Sequence, residues 1–179
     1  MLTTQTKDSG WLKPILLAVI IVIVVRTFLF SPYTVKGASM EPTLHDRERI
    51  VVSKTSNWIG DVKRSDIVII KGSSDNYVKR VIGLPGDTLE MRNDQLYVNN
   101  KQVQESYLHE YKLIANEKYM KLTEDFGPIT VPKEHYFVMG DNRHRSMDSR
   151  NGLGYIEEKQ IIGISKFVIS PIKNMRTTE

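Results

Sequence analysis

The chain has 179 residues with 25 Lys or Arg against 21 Asp or Glu, a formal net charge of +4, and this length fits one domain or one domain with a small insertion. Cysteine is absent, which excludes a thiol nucleophile, a disulfide framework and a Cys-based zinc site. The basic excess is mild and spread along the chain, so it points to a solvated surface with a slight preference for anionic membrane and not to nucleic acid.

The first element is apolar. Residues 15–25 run without a polar side chain, Arg26 interrupts, and Thr27, Phe28, Leu29 and Phe30 resume. A helix from Pro14 to Phe30 is ~25 Å long, at the short end for a hydrocarbon core of ~30 Å. Arg26 falls one turn from its end, where a long stem can snorkel to the interface. Trp11 and Tyr33 flank the run as interfacial aromatics do. A cleaved leader would end on a small-x-small exit, but the small residues that follow, Gly37, Ala38 and Ser39, belong to a motif of their own. A buried core helix is the other reading of a run that is apolar all round, but its β-branched residues suit lipid. The run reads as one retained transmembrane helix, 14–30. A short cytoplasmic tail, 1–13, precedes it, carrying Lys7, Lys13 and Asp8, and an extracytoplasmic domain, 31–179, follows.

Beyond it come short β-branched runs separated by turn residues. Residues 49–54 follow a polar turn at His45, Asp46 and Arg47. Residues 66–71 and 77–82 flank the loop Gly72–Asn76 and predict a hairpin. Gly83, Leu84, Pro85, Gly86 and Asp87 make the next break. Residues 88–92 and 95–99, joined by Asn93 and Asp94, predict a second hairpin. Residues 104–125 are polar and less periodic, with room for a short helix. Residues 129–131 and 135–139 are short strands split by Pro132, and 160–169 is a long final strand. The pattern predicts a mainly β fold, an antiparallel β-sheet domain.

Ser39 sits between small residues and Pro42. A serine hydroxyl is a weak nucleophile and needs a base, and an isolated loop serine is as readily a turn or cap residue. Lys79 lies inside an apolar strand, where alternation sets it with Tyr77 and Val81, opposite Val78 and Arg80. Buried, it would lose hydration and proton affinity and serve as a base; on an edge it would simply face solvent. The histidines, His45, His109, His135 and His144, form no metal-ligand spacing, and His144 reads as an exposed loop residue rather than a triad member. The segment 140–150 packs two acids, three arginines and two serines behind a strand. It reads either as a solvated loop or as a support for a catalytic pair.

Taken together and in order, these boxes resemble the bacterial type I signal peptidases, membrane-bound enzymes that remove signal peptides from exported preproteins. The resemblance runs through the apolar span, the stretch from Ser39 to Leu44, residues 46–54, residues 77–87, and Gly140, Asp141, Asn142 and Arg143 through Ser146, Asp148, Ser149 and Arg150. It implies a Ser-Lys dyad, with Ser39 as nucleophile and Lys79 as base, and calls for no cofactor and no metal. It further implies that Ser146 hydrogen-bonds the lysine amine, that Asp148 pairs with Arg150, and that Asp141 pairs with Arg80. It implies an antiparallel β catalytic domain with a small inserted subdomain at 88–135, short as in the compact Gram-positive-type members. The expected partners are membrane lipid and preproteins with small residues before the cleavage site. Two departures stand out. Gly37 replaces a serine that in many Gram-negative-type members helps stabilise the oxyanion, and His144 and Arg145 occupy positions more often held by small polar residues. The other readings are a self-cleaving Ser-Lys regulator, whose solubility conflicts with the apolar span, and a non-enzymatic membrane-anchored β domain. A sortase-type transpeptidase is excluded by the missing cysteine.

Overall fold

A computed structural model describes residues 11–24, 29–54 and 62–178. The expected tail charges Lys7 and Asp8, and Arg26 within the apolar run, lie outside the described residues. The helix α1 (Leu12–Val24) has 13 residues. Its apolar side chains are exposed all round, Leu16 and Val22 at 62% each. Among the described residues no helix is long and apolar enough to cross a membrane. The helix also does not reach Phe30, which opens the strand β1 (Phe30–Thr34) and pairs with Ser53. Pro32 explains the extended backbone there, since the residue before a proline is pushed out of the helical region.

The remaining elements are β2 (Arg49–Ser53), β3 (Ile67–Ile70), β4 (Tyr77–Gly83), β5 (Thr88–Arg92), β6 (Gln95–Val98), β7 (Lys101–Val103), α2 (His109–Glu117), β8 (Phe126–Thr130), β9 (His135–Met139), β10 (Ile156–Glu157), β11 (Ile161–Ser170) and β12 (Arg176–Thr177). They form two sheets. The larger runs β1-β2-β11-β3-β4-β9-β10 with β12 on β11, and the smaller runs β7-β6-β5-β8. All the strand pairs are antiparallel. Both expected hairpins form, β3–β4 and β5–β6. In the second, Asn93 and Asp94 both take positive φ (49° and 60°), the backbone that a two-residue turn between twisted strands requires.

The larger sheet is covered on both faces. Along β3, Ile67 and Ile69 enter one apolar cluster with Met40, Leu44 and Val52, while Val68 and Ile70 enter another with Val81 and Val138. This is the side-to-side alternation of a strand. A third cluster joins the sheets: Ile82, Phe137 and Met139 pack on Leu89, Met91 and Leu96. The small sheet therefore shares its core with the large one instead of folding around its own. Gly83 makes the close approach possible, since a Cβ there would run into the side chains of Leu89 and Val131. Asp87 ties the junction. Its carboxylate accepts from Arg64 (3.0 Å), from the Leu84 N–H (2.7 Å) and from Asn99 (2.8 Å).

Candidate active site

Ser39 lies in the turn between β1 and β2. That turn is closed at its base by Val35 N–H donating to the Glu48 carbonyl (2.8 Å) and Arg47 N–H to the Val35 carbonyl (2.9 Å). Gly37 has φ +82°, a left-handed backbone that side chains resist, and its N–H donates to Asp46 (2.8 Å). This conformation gives Gly37 a backbone reason to be glycine. Met40 and Leu44 anchor the turn in the core.

Lys79, on β4, is 3% exposed, and its Nζ donates to Ser39 Oγ at 2.8 Å. Burial lowers its pKa from 10.5 to about 8, against the opposing pull of Asp148 and Asp141. Desolvation disfavours the charged amine, so a base fraction is present near neutral pH. The strand alternation holds for Tyr77 and Val81, which share one cluster, and Val78, which joins the other. The buried reading of the lysine is the one the structure bears out.

The segment after β9 packs against this pair. Asn142 N–H donates to the Ser39 carbonyl (3.0 Å). Gly140 is required at the contact, because a Cβ there would sit on the Ser39 carbonyl and on Ser146 Oγ. Arg80 clamps Asp141 through two bonds (2.9 and 2.6 Å), donates to the Ser65 carbonyl (2.8 Å), and shares Asp141 with Thr43, whose hydroxyl donates at 2.5 Å. Arg150 grips Asp148 in the same two-pronged way (2.9 and 2.8 Å), and Gly140 N–H adds a third bond (3.0 Å). Burial pushes the Asp148 carboxyl up, but Arg150 outweighs it and holds the group below the usual carboxylate range. Both expected ion pairs are therefore present as geometry.

Ser146, in the same segment after β9, is also buried, but its hydroxyl makes no hydrogen bond among the described residues. The expected bond to the lysine amine is absent, and the Lys79 hydrogen bond goes to Ser39 instead. Ser146 lies close enough to Asp148 to lower that carboxyl's proton affinity. His144 is exposed, in keeping with a loop residue.

Sequence reasoning missed two supports. The first runs from the loop into the small sheet: buried Arg143 pairs with buried Glu105, donates to Thr123 (3.1 Å) and to the Gly140 carbonyl (3.1 Å), while the Arg80 guanidinium lies 3.9 Å over the Tyr107 ring. Burial raises the Glu105 carboxyl, and the charge and hydrogen bond of Arg143, with Lys112 and the Tyr107 hydroxyl, together bring it below the usual carboxylate range. The second is Arg176, which donates to both Glu48 oxygens (2.9 and 2.7 Å) and to the Thr43 carbonyl (2.6 Å). These partners lie far apart in the chain, and local patterns carry no trace of them.

Beside the pair is a hollow of about 200 Å³ lined by Tyr33, Val35, Met40, Ile69 and Val78 together with Ser39 and Lys79. Among the described residues β9 pairs with β4 only at Arg80, Val81 and Gly83, so the outer edge of Tyr77–Lys79 is open to a further strand.

Comparison with known proteins identifies the family of the chain. The model of the family "Signal peptidase, peptidase S26" matches residues 9–170. A signal peptidase I of Bacillus amyloliquefaciens is 56% identical over 94% of this chain and 91% of its own length. Signal peptidase I S of Bacillus subtilis is 55% identical over 94% and 92%. In structure, a signal peptidase I of Enterococcus faecalis aligns with a TM-score of 0.54 at 36% identity, covering 58% of this chain and 96% of that one. The chain belongs to the signal peptidase family, peptidase S26.

Proposed function

We propose that this chain, a serine endopeptidase that removes signal peptides from exported preproteins, does so with Ser39 and Lys79 as its catalytic dyad. The observation that carries the reading is the 2.8 Å bond between buried Lys79 and the Ser39 hydroxyl, with the amine's pKa lowered to about 8. Neutral Lys79 takes the Ser39 proton as Oγ attacks the scissile carbonyl. The lysine then returns that proton to the leaving amine, and an acyl-enzyme remains. Water, activated by the same amine, releases the acyl group. The Ser39 N–H is the donor for the oxyanion; the Gly37 N–H is engaged by Asp46.

Substrate binds as an extended strand along the open edge of Tyr77–Lys79. Residues before the cut enter the hollow at Ile69, Val78 and Met40, whose limited volume favours small side chains. Asp141 with Arg80, and Asp148 with Arg150, hold the loop behind the dyad, and Ser146 is part of that support. The enzyme is anchored by one span, with the N-terminus cytoplasmic and the catalytic domain on the far side. The exposed apolar circumference of α1 supports that reading.

The test is preprotein cleavage by the full-length chain in membranes. Ser39→Ala and Lys79→Ala should each lose activity by ~10³-fold or more. Full activity in either variant refutes the dyad. His144→Ala should remain active, and its complete loss of activity would argue for a histidine base.

A further inference from the structure

A second hollow shares Asn142 with the surroundings of Ser39. It has a volume of about 250 Å³ and lies between α2 and the segment after β9. Ile114, Ala115, Met120 and Leu122 form its apolar surface, with Ile114 and Met120 left 47% and 54% exposed. Asn142 forms its wall toward the active site, and the Asn142 N–H is the group that holds the Ser39 carbonyl. Tyr111 also lines the hollow.

The rim is cationic. Lys118, His144 and Arg145 line the hollow, and no carboxylate does. The neighbouring lysines of this subdomain are paired, Lys112 with Glu105 and Lys121 with Asp125. Lys118 and Arg145 have no ion-pair partner among the described residues. Of the acids around the hollow, Glu41 faces His45 at 3.8 Å, and neither Glu110 nor Glu117 lines it. Two cations without a carboxylate partner, Lys118 and Arg145, thus face the hollow.

We propose that this groove binds the segment of the preprotein that follows the cut, and that it favours acidic over basic side chains there. The inference rests on the proposed preprotein cleavage at Ser39. A peptide whose upstream residues fill the hollow at Ile69 and Val78 passes Ser39 and leaves over Asn142. At ~3.3 Å per residue of extended chain, roughly the third to sixth residues after the cut lie along α2. Apolar side chains contact Ile114 and Met120, and carboxylates meet Lys118 and Arg145. A lysine or arginine in the same place is repelled.

The experiment uses the full-length enzyme in detergent and two preproteins identical except for Asp or Lys at the third to sixth residues after the cut. The wild type should cleave the Asp form with a kcat/KM about fivefold higher, the size that two exposed ion pairs supply. The preference should fade at 1 M salt. In Lys118→Glu/Arg145→Glu the ratio should invert, and in Lys118→Gln/Arg145→Gln it should fall to about one. A wild-type ratio near one, or a ratio unchanged in both variants, overturns the proposal. Because the readout is a ratio, general damage to folding lowers both rates and leaves it in place. Failure of the wild type to cleave either preprotein would instead refute the function on which the groove depends.

Discussion

Replacing Lys79 with methionine should abolish activity and yet stabilise the fold at neutral pH. Lys79 is 3% exposed, and its pKa in the fold is about 8, against 10.5 for an ordinary lysine amine. Below pH 8 both folded and unfolded chains carry the charge, so the full cost of burying it is present. The gap between the two values corresponds to about 3 kcal/mol. Between pH 8 and 10.5 the unfolded chain binds more protons than the folded one, so wild-type stability rises with pH and the cost disappears. Methionine keeps the length and apolar stem but forfeits the bond to Ser39, worth about 1 kcal/mol. The net gain at pH 7 is about 2 kcal/mol, which for a domain of this size raises Tm by about 4–8 °C. Thermal melts of the full-length protein in detergent at pH 7 and pH 10 decide the matter, and the two chains should converge at the higher pH. A Lys79→Met protein less stable than wild type at pH 7, or an advantage that persists unchanged to pH 10, would refute the claim that the lysine is a desolvated base.

The same lysine sets the pH profile of cleavage. Activity should fall about tenfold per unit below pH 8 as the amine protonates, and a profile flat down to about 5 contradicts a lysine base. Asp141→Ala should cost about 3–5 kcal/mol in urea unfolding, because it leaves the buried Arg80 guanidinium without its carboxylate; a cost under 1 kcal/mol would mean that the Ser65 carbonyl and the Tyr107 ring suffice. Gly140→Ala should depress kcat far more than KM, since the added methyl displaces the Ser39 carbonyl and Ser146. Wild-type kcat in that variant would show that the contact tolerates movement.

The strands of the large sheet were legible because they are buried on one or both faces and are built from β-branched runs. β3, buried at every residue, and β11 fall where residues 66–71 and 160–169 predict them. The turn at Asn93 and Asp94 was legible because few residues accept positive φ in succession. β1 was not. Its sequence, Phe-Ser-Pro-Tyr-Thr, continues an apolar run, contains a proline, and alternates between half-buried and exposed at the sheet edge, the one place a proline is tolerated. Of the site, Ser39 and Lys79 were visible as residues, but the choice between a buried and an edge lysine depended on what covers β4. Arg143 stood in a recognised box without a partner, because Glu105 arrives from the segment that follows β7. Ser146 shows the opposite failure: the expected bond to the lysine is not made, since the amine already has Ser39 in reach.

The grip of Arg176 on Glu48 and on the Thr43 carbonyl has a consequence for the order of assembly. Thr43 is also the residue whose hydroxyl donates to Asp141, so this guanidinium braces the nucleophile's turn from behind, from 133 residues further along the chain. On the proposed topology Ser39 emerges across the membrane well before Arg176. The turn that carries Ser39 then gains this brace only once residue 176 has crossed, and a copy exported no further than β11 would carry an unbuttressed serine.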